Sequence, residues 1–394
     1  MSERIVGELN PPERILLGPG PANIPPRVHK AMTTPLLGHL DPAFLAIMDE
    51  TVHMLRLVFK TANKLTIPVS GTGSAGMEAA LCNVIEPGDT VVVGVKGYFG
   101  ERITDMAARY GAKVVRVEGE WGKPLAPAQF KAALEKEKNV KLVAVVHAET
   151  STGILQPLPE LARLAHDHGA MLLADTVTSL GGVDVRIDEW GVDIAYSGTQ
   201  KCIGSPPGLA PITFGPRALE VLRNRKSKVA NWYLDLTMLD RYWGAERTYH
   251  HTAPITMIYA LHEALRVVLE EGLEQRFARH QKVASAFRAG VEAMGLGLLA
   301  PEGFRANPLT TVKIPQGVDD MAIRGALLNE YNIEVGGGLG PLKGKVWRVG
   351  LMGYNATSKN VFTLLSALEQ LLPRQGFKPP PGAGLAAAQK ALSA

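Results

Sequence analysis

Residues 65–95, LTIPVSGTGSAGMEAALCNVIEPGDTVVVGV, place two apolar runs, LTIPVS and TVVVGV, on either side of a helix-forming stretch, GMEAALCNVI. Each run is strand-like, and a small-residue turn, Gly71-Thr72-Gly73-Ser74-Ala75-Gly76, joins the first to the helix. Strand, helix, strand in that order implies parallel strands joined by a crossover. The same alternation continues outward through ERITDMAARYG, KVVRVE, PAQFKAALEKEK, KLVAVVHAE, LPELARLAHDHG, MLLADTV, DIAYSGT and APITFG. The pattern predicts an α/β domain over residues 21–265, a mostly parallel central sheet with helices on both faces. Ligands of such sheets sit at the carboxyl ends of the strands.

Upstream, residues 1–20 read as an N-terminal arm. Past Tyr249-His250-His251-Thr252-Ala253-Pro254 long helical periodicity takes over, and 266–376 read as a smaller C-terminal α+β domain built from TTVKIP, MAIRGALLNEYN, IEVGGG, KVWRVGL and NVFTLLSALEQLL. The tail, 377–394, opens Pro/Gly-rich and ends Ala-rich, which suits a loose terminus or a helix docked on a neighbour. A length of 394 residues agrees with this division. Hydrophobic residues at 46% and charged residues at 20% exclude disordered, collagen-like and coiled-coil classes. A net charge of +4 is too small to suggest nucleic acid. No apolar run is long enough to span a bilayer, and neither a leader at the start nor a peroxisomal address in Leu392-Ser393-Ala394 is evident, so the expectation is a cytoplasmic protein. Two cysteines, Cys82 and Cys202, build neither a disulfide framework nor a zinc site.

Three features could carry chemistry. The turn after LTIPVS contains GxGxxG, yet TVVVGV ends in Val95-Lys96-Gly97 without the acid that a dinucleotide ribose needs. What remains is a helix start with backbone N–H groups and the hydroxyls of Thr72 and Ser74, a phosphate cradle or simply a capped tight turn. Asp175 closes MLLAD, and Lys201 follows DIAYSGTQ. An acid and an amine at neighbouring strand ends meet the needs of pyridoxal phosphate (PLP), which takes a lysine for its Schiff base and a carboxylate for its pyridine nitrogen. Arg348 lies inside the apolar run KVWRVGL, where a guanidinium requires an anion, either a substrate carboxylate or an internal Asp or Glu.

Together with LLGPGP (16–21), IEPGD, ETSTGILQPL, ADTVTSLGG, YSGTQK, YHHTAP, GGGLGP and WRVGLMG, these segments resemble the class V, fold-type I PLP-dependent aminotransferases, and among them the alanine/serine–glyoxylate aminotransferase group, over nearly the whole chain. The resemblance implies the PLP-dependent transferase fold type I and pyridoxal 5'-phosphate as cofactor. It makes Lys201 the Schiff-base and proton-transfer residue, Asp175 the partner of the pyridine nitrogen, Val177 the packing behind the ring and Phe99 the aromatic stacked on it. One member of the group carries Trp at the place of Phe99. Thr72, Gly73, Ser74 and Gln200 would hold the phosphate, although group members carry His in place of Ser74. Thr150 would lie near the phenolic oxygen or the substrate, and Gly18 at the substrate. Tyr249 and Thr252 would reach the phosphate of the other subunit of a homodimer. Arg348 becomes the clamp for the α-carboxylate of a small amino acid or 2-oxo acid. The adjacent His250 and His251 are expected to point apart and to bind no metal.

The expected activity is a ping-pong transfer of the amino group of alanine or serine to glyoxylate. A single evident carboxylate clamp favours small neutral substrates over aspartate or glutamate. Ureidoglycine and hydroxykynurenine are other donors used within the group. A cysteine desulfurase-type lyase shares the fold but needs a mobile cysteine above the cofactor. A third reading is a binding or regulatory protein on the same fold. Residues Leu37-Gly38-His39-Leu40-Asp41-Pro42 are placed at the substrate entrance.

Overall fold

The computed structural model describes residues 7–394, so Met1–Val6 of the expected arm lie outside the described residues. Seven strands form the central sheet: β1 (Leu65–Ser70), β2 (Thr90–Val95), β3 (Lys113–Glu118), β4 (Val140–Val146), β5 (Met171–Asp175), β6 (Ile194–Tyr196) and β7 (Leu209–Phe214). Their spatial order is β1-β7-β6-β5-β4-β2-β3. Within it β6-β5-β4-β2-β3 run parallel. β7 is antiparallel to both of its neighbours, which departs from the uniform strand–helix alternation expected for APITFG. The cause is the connection: Ser197 to Gly208 contains no helix, and a parallel return needs a crossover. This inverted strand brings Gly208 beside the end of β1, where its carbonyl accepts a 2.9 Å hydrogen bond from the Gly71 N–H.

Burial follows the pattern. β2, β5, β6 and β7 are buried at every residue, as strands covered on both faces must be, whereas the edge strand β3 is largely accessible. The helix Gly73–Cys82 lies close on the sheet because Gly76 has no side chain: a Cβ there would sit 2.9 Å from the Ala210 Cβ and 3.4 Å from that of Tyr196.

A second core is built on β8 (Leu309–Lys313), β9 (Gly336–Gly337) and β10 (Val346–Gly350), an antiparallel sheet ordered β8-β10-β9. The helix Ile255–Glu271 passes through position 265 and buries residues as far as Val268 in the large core; the next helix, Leu273–Ala293, contributes Val283, Phe287 and Val291 to the small one. Leu17 of the arm joins the small core, and Ile15–Leu16 pair in parallel with Ile333–Glu334. The tail is no loose terminus. Its helix Ala383–Ser393 packs on Leu273–Ala293 of the same chain, where a Cβ on Gly290 would meet the Gly384 carbonyl at 3.0 Å.

Gly76→Ala should destabilise the protein by roughly 1–3 kcal/mol despite alanine's better helix propensity, because the added methyl has no room against β7. Urea unfolding measures it, and a neutral or stabilising result would mean that the helix is not held this close to the sheet.

Candidate active site

The carboxyl ends of β4, β5 and β6, the start of the helix Gly73–Cys82 and the amino end of β7 meet around a cavity of about 220 Å³. Its walls are Thr72, Gly73, Ser74, Met77, Phe99, Arg102, Thr150, Asp175, Val177, Gln200 and Lys201. The structure therefore brings together nearly all the residues expected at a cofactor, and adds Met77 and Arg102.

Asp175 ends β5 and is 3% exposed. Its Oδ1 accepts from the Val177 N–H at 2.9 Å and its Oδ2 from the Tyr196 hydroxyl at 2.8 Å, which aim the remaining lone pairs into the cavity. Burial pushes its pKa up to about 6, against the two hydrogen bonds. Lys201 is likewise buried, and its Nζ donates to the Pro19 carbonyl. Burial and the nearby Arg348 lower its pKa to about 8. Gly20 makes room for this side chain: at φ +112° a Cβ would fall 2.5–2.7 Å from the Lys201 Cδ, Cε and Nζ. Residues 19–20 of the arm thus wall in the amine.

Phe99 stands in the first turn of the helix Tyr98–Arg109. That helix start is fastened to the turn after β4: the Glu149 carboxylate accepts from the Phe99 N–H at 3.4 Å and from the Ser151 hydroxyl at 2.6 Å, and Ser151 Oγ accepts from the Tyr98 N–H at 2.9 Å. Behind this seam lie Lys96, fully buried and lowered to about 8 by burial, and His147, lowered to about 3 by burial and by Lys96. Thr150 bonds Thr178 through their hydroxyls at 2.5 Å.

Arg348 projects from β10, opposite Thr311 and Gly336, and is 8% exposed. Its Nε donates to the Gly337 carbonyl at 2.7 Å and its Nη1 reaches the Thr150 carbonyl at 3.5 Å. The internal ion pair is not formed: among the described residues no carboxylate lies within ion-pair distance of it. Burial lowers its pKa only to about 10, so it remains a cation. Gly18 is buried in the arm beside β9 and β10, next to this side chain's strand but outside the cavity wall.

Tyr249 and Thr252 are exposed and do not line the cavity of their own chain. His250 and His251 correct the expectation that adjacent histidines point apart. Their Nδ1 atoms are 2.8 Å apart, and His251 Nε2 bonds the Ser70 hydroxyl at 2.7 Å, tying this loop to the end of β1. No metal-binding group of three His, Cys, Asp or Glu side chains occurs among the described residues.

The cavity fits PLP. Asp175 offers acceptors to a protonated ring nitrogen, Lys201 an amine, Phe99 and Val177 two apolar walls, and Gly73 and Ser74 the unbonded N–H groups of a helix start. Thr72 occupies the N-cap position but makes no cap hydrogen bond, so its hydroxyl is free, and the Gln200 side-chain oxygen is buried without a partner. Sequence reasoning missed Arg102, although it lies one helical turn beyond Phe99 and therefore on the same face. It also missed Tyr196 and Gly20, inside motifs already noted; period-2 alternation through DIAYS would have turned Tyr196 toward one face.

Two expectations follow. Asp175 carries a raised pKa, so its stabilising contribution to the cofactor-free protein is complete below pH 4 and is lost as pH rises through about 6. Asp175→Asn should remove that slope and raise the stability of the apoprotein at pH 7 by about 1–2 kcal/mol in urea unfolding, while abolishing transamination; an apoprotein weakened by the change would contradict the burial argument. Gly20→Ala should leave the fold cooperative yet block formation of the visible absorption band with PLP, since the methyl occupies the path of Lys201.

The family profile described as aminotransferase class-V matches residues 15–361. An alanine–glyoxylate aminotransferase from Nostoc sp. has a crystal structure that superposes with a TM-score of 0.92 at 53% identity, covering 94% of this chain and 98% of that one. The ureidoglycine–glyoxylate aminotransferase of Bacillus subtilis superposes with a TM-score of 0.96 at 42% identity, over 98% and 100% of the two chains. The alanine–glyoxylate aminotransferase of Drosophila melanogaster is 42% identical over 92% of this chain and 93% of its own. With a lysine, an aspartate and a phosphate-sized cradle converging at the strand ends, this chain belongs to the class V aminotransferases, and pyridoxal 5'-phosphate is its cofactor.

Proposed function

We propose that the chain moves the amino group of a small neutral amino acid, alanine or serine, to glyoxylate in two half-reactions, giving glycine and pyruvate or hydroxypyruvate. The observation that carries this reading is Arg348, a buried guanidinium without an acidic partner that acts electrostatically on Lys201. A carboxylate held there lies beside the amine that must act on the substrate's Cα.

When bound, PLP supplies an aldehyde that takes up the substrate amine and a protonated ring that accepts electron density. Asp175 would hold the proton on the ring nitrogen, and that positive charge would in turn draw its pKa down from about 6. Lys201, whose amine is already biased toward the neutral form, would carry the proton between the substrate Cα and C4′ of the cofactor. Phe99 and Val177 would pack against the ring, and Thr150, whose hydroxyl bonds that of Thr178, would lie near the phenolic oxygen or the substrate. Thr72, Gly73, Ser74 and Gln200 would hold the phosphate, and Arg348, with Gly18 alongside, would hold the substrate carboxylate.

The second subunit of a homodimer completes the site through Tyr249 and Thr252. Their exposure supports this, as does the apolar surface around them, where Trp232, Tyr233 and Tyr249 are 60%, 41% and 57% exposed. A cytoplasmic location is supported by two buried free thiols, which suit a reducing compartment.

Ureidoglycine is the second reading for the donor, because a relative named for it, 42% identical, is as similar as the Drosophila enzyme named for alanine. A desulfurase role is disfavoured. Cys82 and Cys202 are both buried with thiol pKa values pushed up to about 12 by burial, and Cys202 donates to the Thr178 carbonyl.

Initial rates with alanine, serine, ureidoglycine and cysteine against glyoxylate test the reading. Parallel double-reciprocal lines with glycine as product are expected for alanine or serine. Glycine formed only with ureidoglycine would favour the second donor, and sulfide or alanine from cysteine without glyoxylate would overturn the proposal. Arg348→Ala should raise the donor KM by roughly a hundredfold or more, consistent with about 3 kcal/mol for a charge-assisted pair, with Arg348→Lys in between. An unchanged KM would remove Arg348 from the substrate site.

A further inference from the structure

Among the described residues Arg102 is the one cation in the cavity wall besides Lys201, and neither the expected chemistry nor any hydrogen-bonding need of the fold accounts for it. It lies three residues after Phe99 on the helix Tyr98–Arg109, with its guanidinium 5.0 Å from the Phe99 ring centroid and 5.4 Å from that of Tyr98. Its single protein hydrogen bond runs from Nη1 to the Ser74 hydroxyl oxygen at 3.0 Å. Among the described residues no carboxylate pairs with it, whereas its neighbour Glu101 is taken by Arg116. A guanidinium has five N–H donors, and here most of them have no acceptor in the chain.

Ser74 makes the direction of this charge meaningful. It is the second residue of the helix Gly73–Cys82, at the positive end of the helix dipole. By accepting from Arg102, its oxygen leaves the hydroxyl hydrogen free to donate to an anion at the helix start. The guanidinium then stands one hydroxyl away from that anion, and the two aromatic rings hold it there with few rotamers left to lose.

We propose that Arg102, acting with Ser74, is part of the cofactor-binding site and recognises the phosphate dianion, so that the chain's own half of the site carries a full positive charge at the phosphate. This rests on the reading that PLP lies with its phosphate at Thr72–Ser74. The alternative role for Arg102 is to stack on Phe99 and so fix the ring that covers the cofactor. The two roles separate by ligand: phosphate recognition affects PLP and inorganic phosphate but not pyridoxal, which lacks the phosphate, whereas ring support affects PLP and pyridoxal alike.

Apoenzyme of the full chain, as wild type, Arg102→Gln, Arg102→Lys and Ser74→Ala, is titrated with PLP, with pyridoxal and with inorganic phosphate as competitor of PLP uptake, followed by cofactor fluorescence and absorbance. Arg102→Gln should weaken PLP roughly ten- to a hundredfold, the range for a charge-assisted contact, and weaken phosphate competition in parallel, while pyridoxal changes by less than about twofold. Arg102→Lys should restore much of the preference for PLP over pyridoxal, and it reads the same ratio if Arg102→Gln does not fold. Ser74→Ala should lose part of that preference. Equal losses for PLP and pyridoxal, or no loss for either, would overturn the proposal. If wild-type apoenzyme itself bound PLP no tighter than pyridoxal, the placement of the phosphate at Thr72–Ser74 would be what failed, and Arg102 would lose its role with it.

Discussion

Desolvation of charge is the constraint on which the rest of the molecule depends. Asp175, Lys201 and Arg348 are all nearly inaccessible to water, and among the described residues none has an opposite charge within ion-pair distance. Each is shifted by burial toward its neutral form, Asp175 upward and the two cations downward. Such an arrangement costs folding free energy unless ligands of complementary charge complete it. In the proposed reading a protonated pyridine ring would offset Asp175, an aldehyde would take up the Lys201 amine, and a substrate carboxylate would offset Arg348. The polar groups that surround these three, namely Tyr196 on Asp175, the Pro19 carbonyl on Lys201 and the Gly337 carbonyl on Arg348, hold each in position without neutralising it.

The fold delivers those groups from three separate places. Asp175 and Lys201 come from adjacent strand ends of the large sheet, Arg348 from an antiparallel sheet with its own core, and Pro19-Gly20 from the arm that runs between them. The arm belongs to both bodies: Leu17 is buried in the small core, while the Ala22 N–H bonds the Gln200 carbonyl beside Lys201 at 3.0 Å. Under the proposed function, a carboxylate bound at Arg348 would act on the same seam that walls in the lysine and so be registered against the amine.

Much of this was legible in the sequence because strand ends in an α/β sheet are where apolar runs stop. MLLAD and IAYSGTQK put Asp175 and Lys201 at and just past strand ends, and a charged residue inside KVWRVGL flags Arg348, but it took the resemblance to give them their roles. The inverted β7 was not legible, since an apolar run carries no direction and only the helix-free connection from Ser197 to Gly208 reverses it. Arg102 escaped because its meaning depends on a partner, Ser74, that only the packing of two helices brings within 3.0 Å. The meeting of His250 and His251 depends in the same way on a backbone path that adjacent residues do not reveal. The donor was not legible either, because overall similarity does not separate relatives named for alanine, 42% and 53% identical, from one named for ureidoglycine, 42% identical.

The most direct measurement is the stability of the apoenzyme, of the enzyme with PLP, and of the enzyme with PLP and saturating acetate, a carboxylate without an amine, in wild type and in Arg348→Gln. If the buried charges are completed by ligands, wild-type stability rises in two steps, once with PLP and again with acetate, and Arg348→Gln keeps the first step and loses the second. A second step that persists without Arg348, or no first step in either protein, would contradict the account.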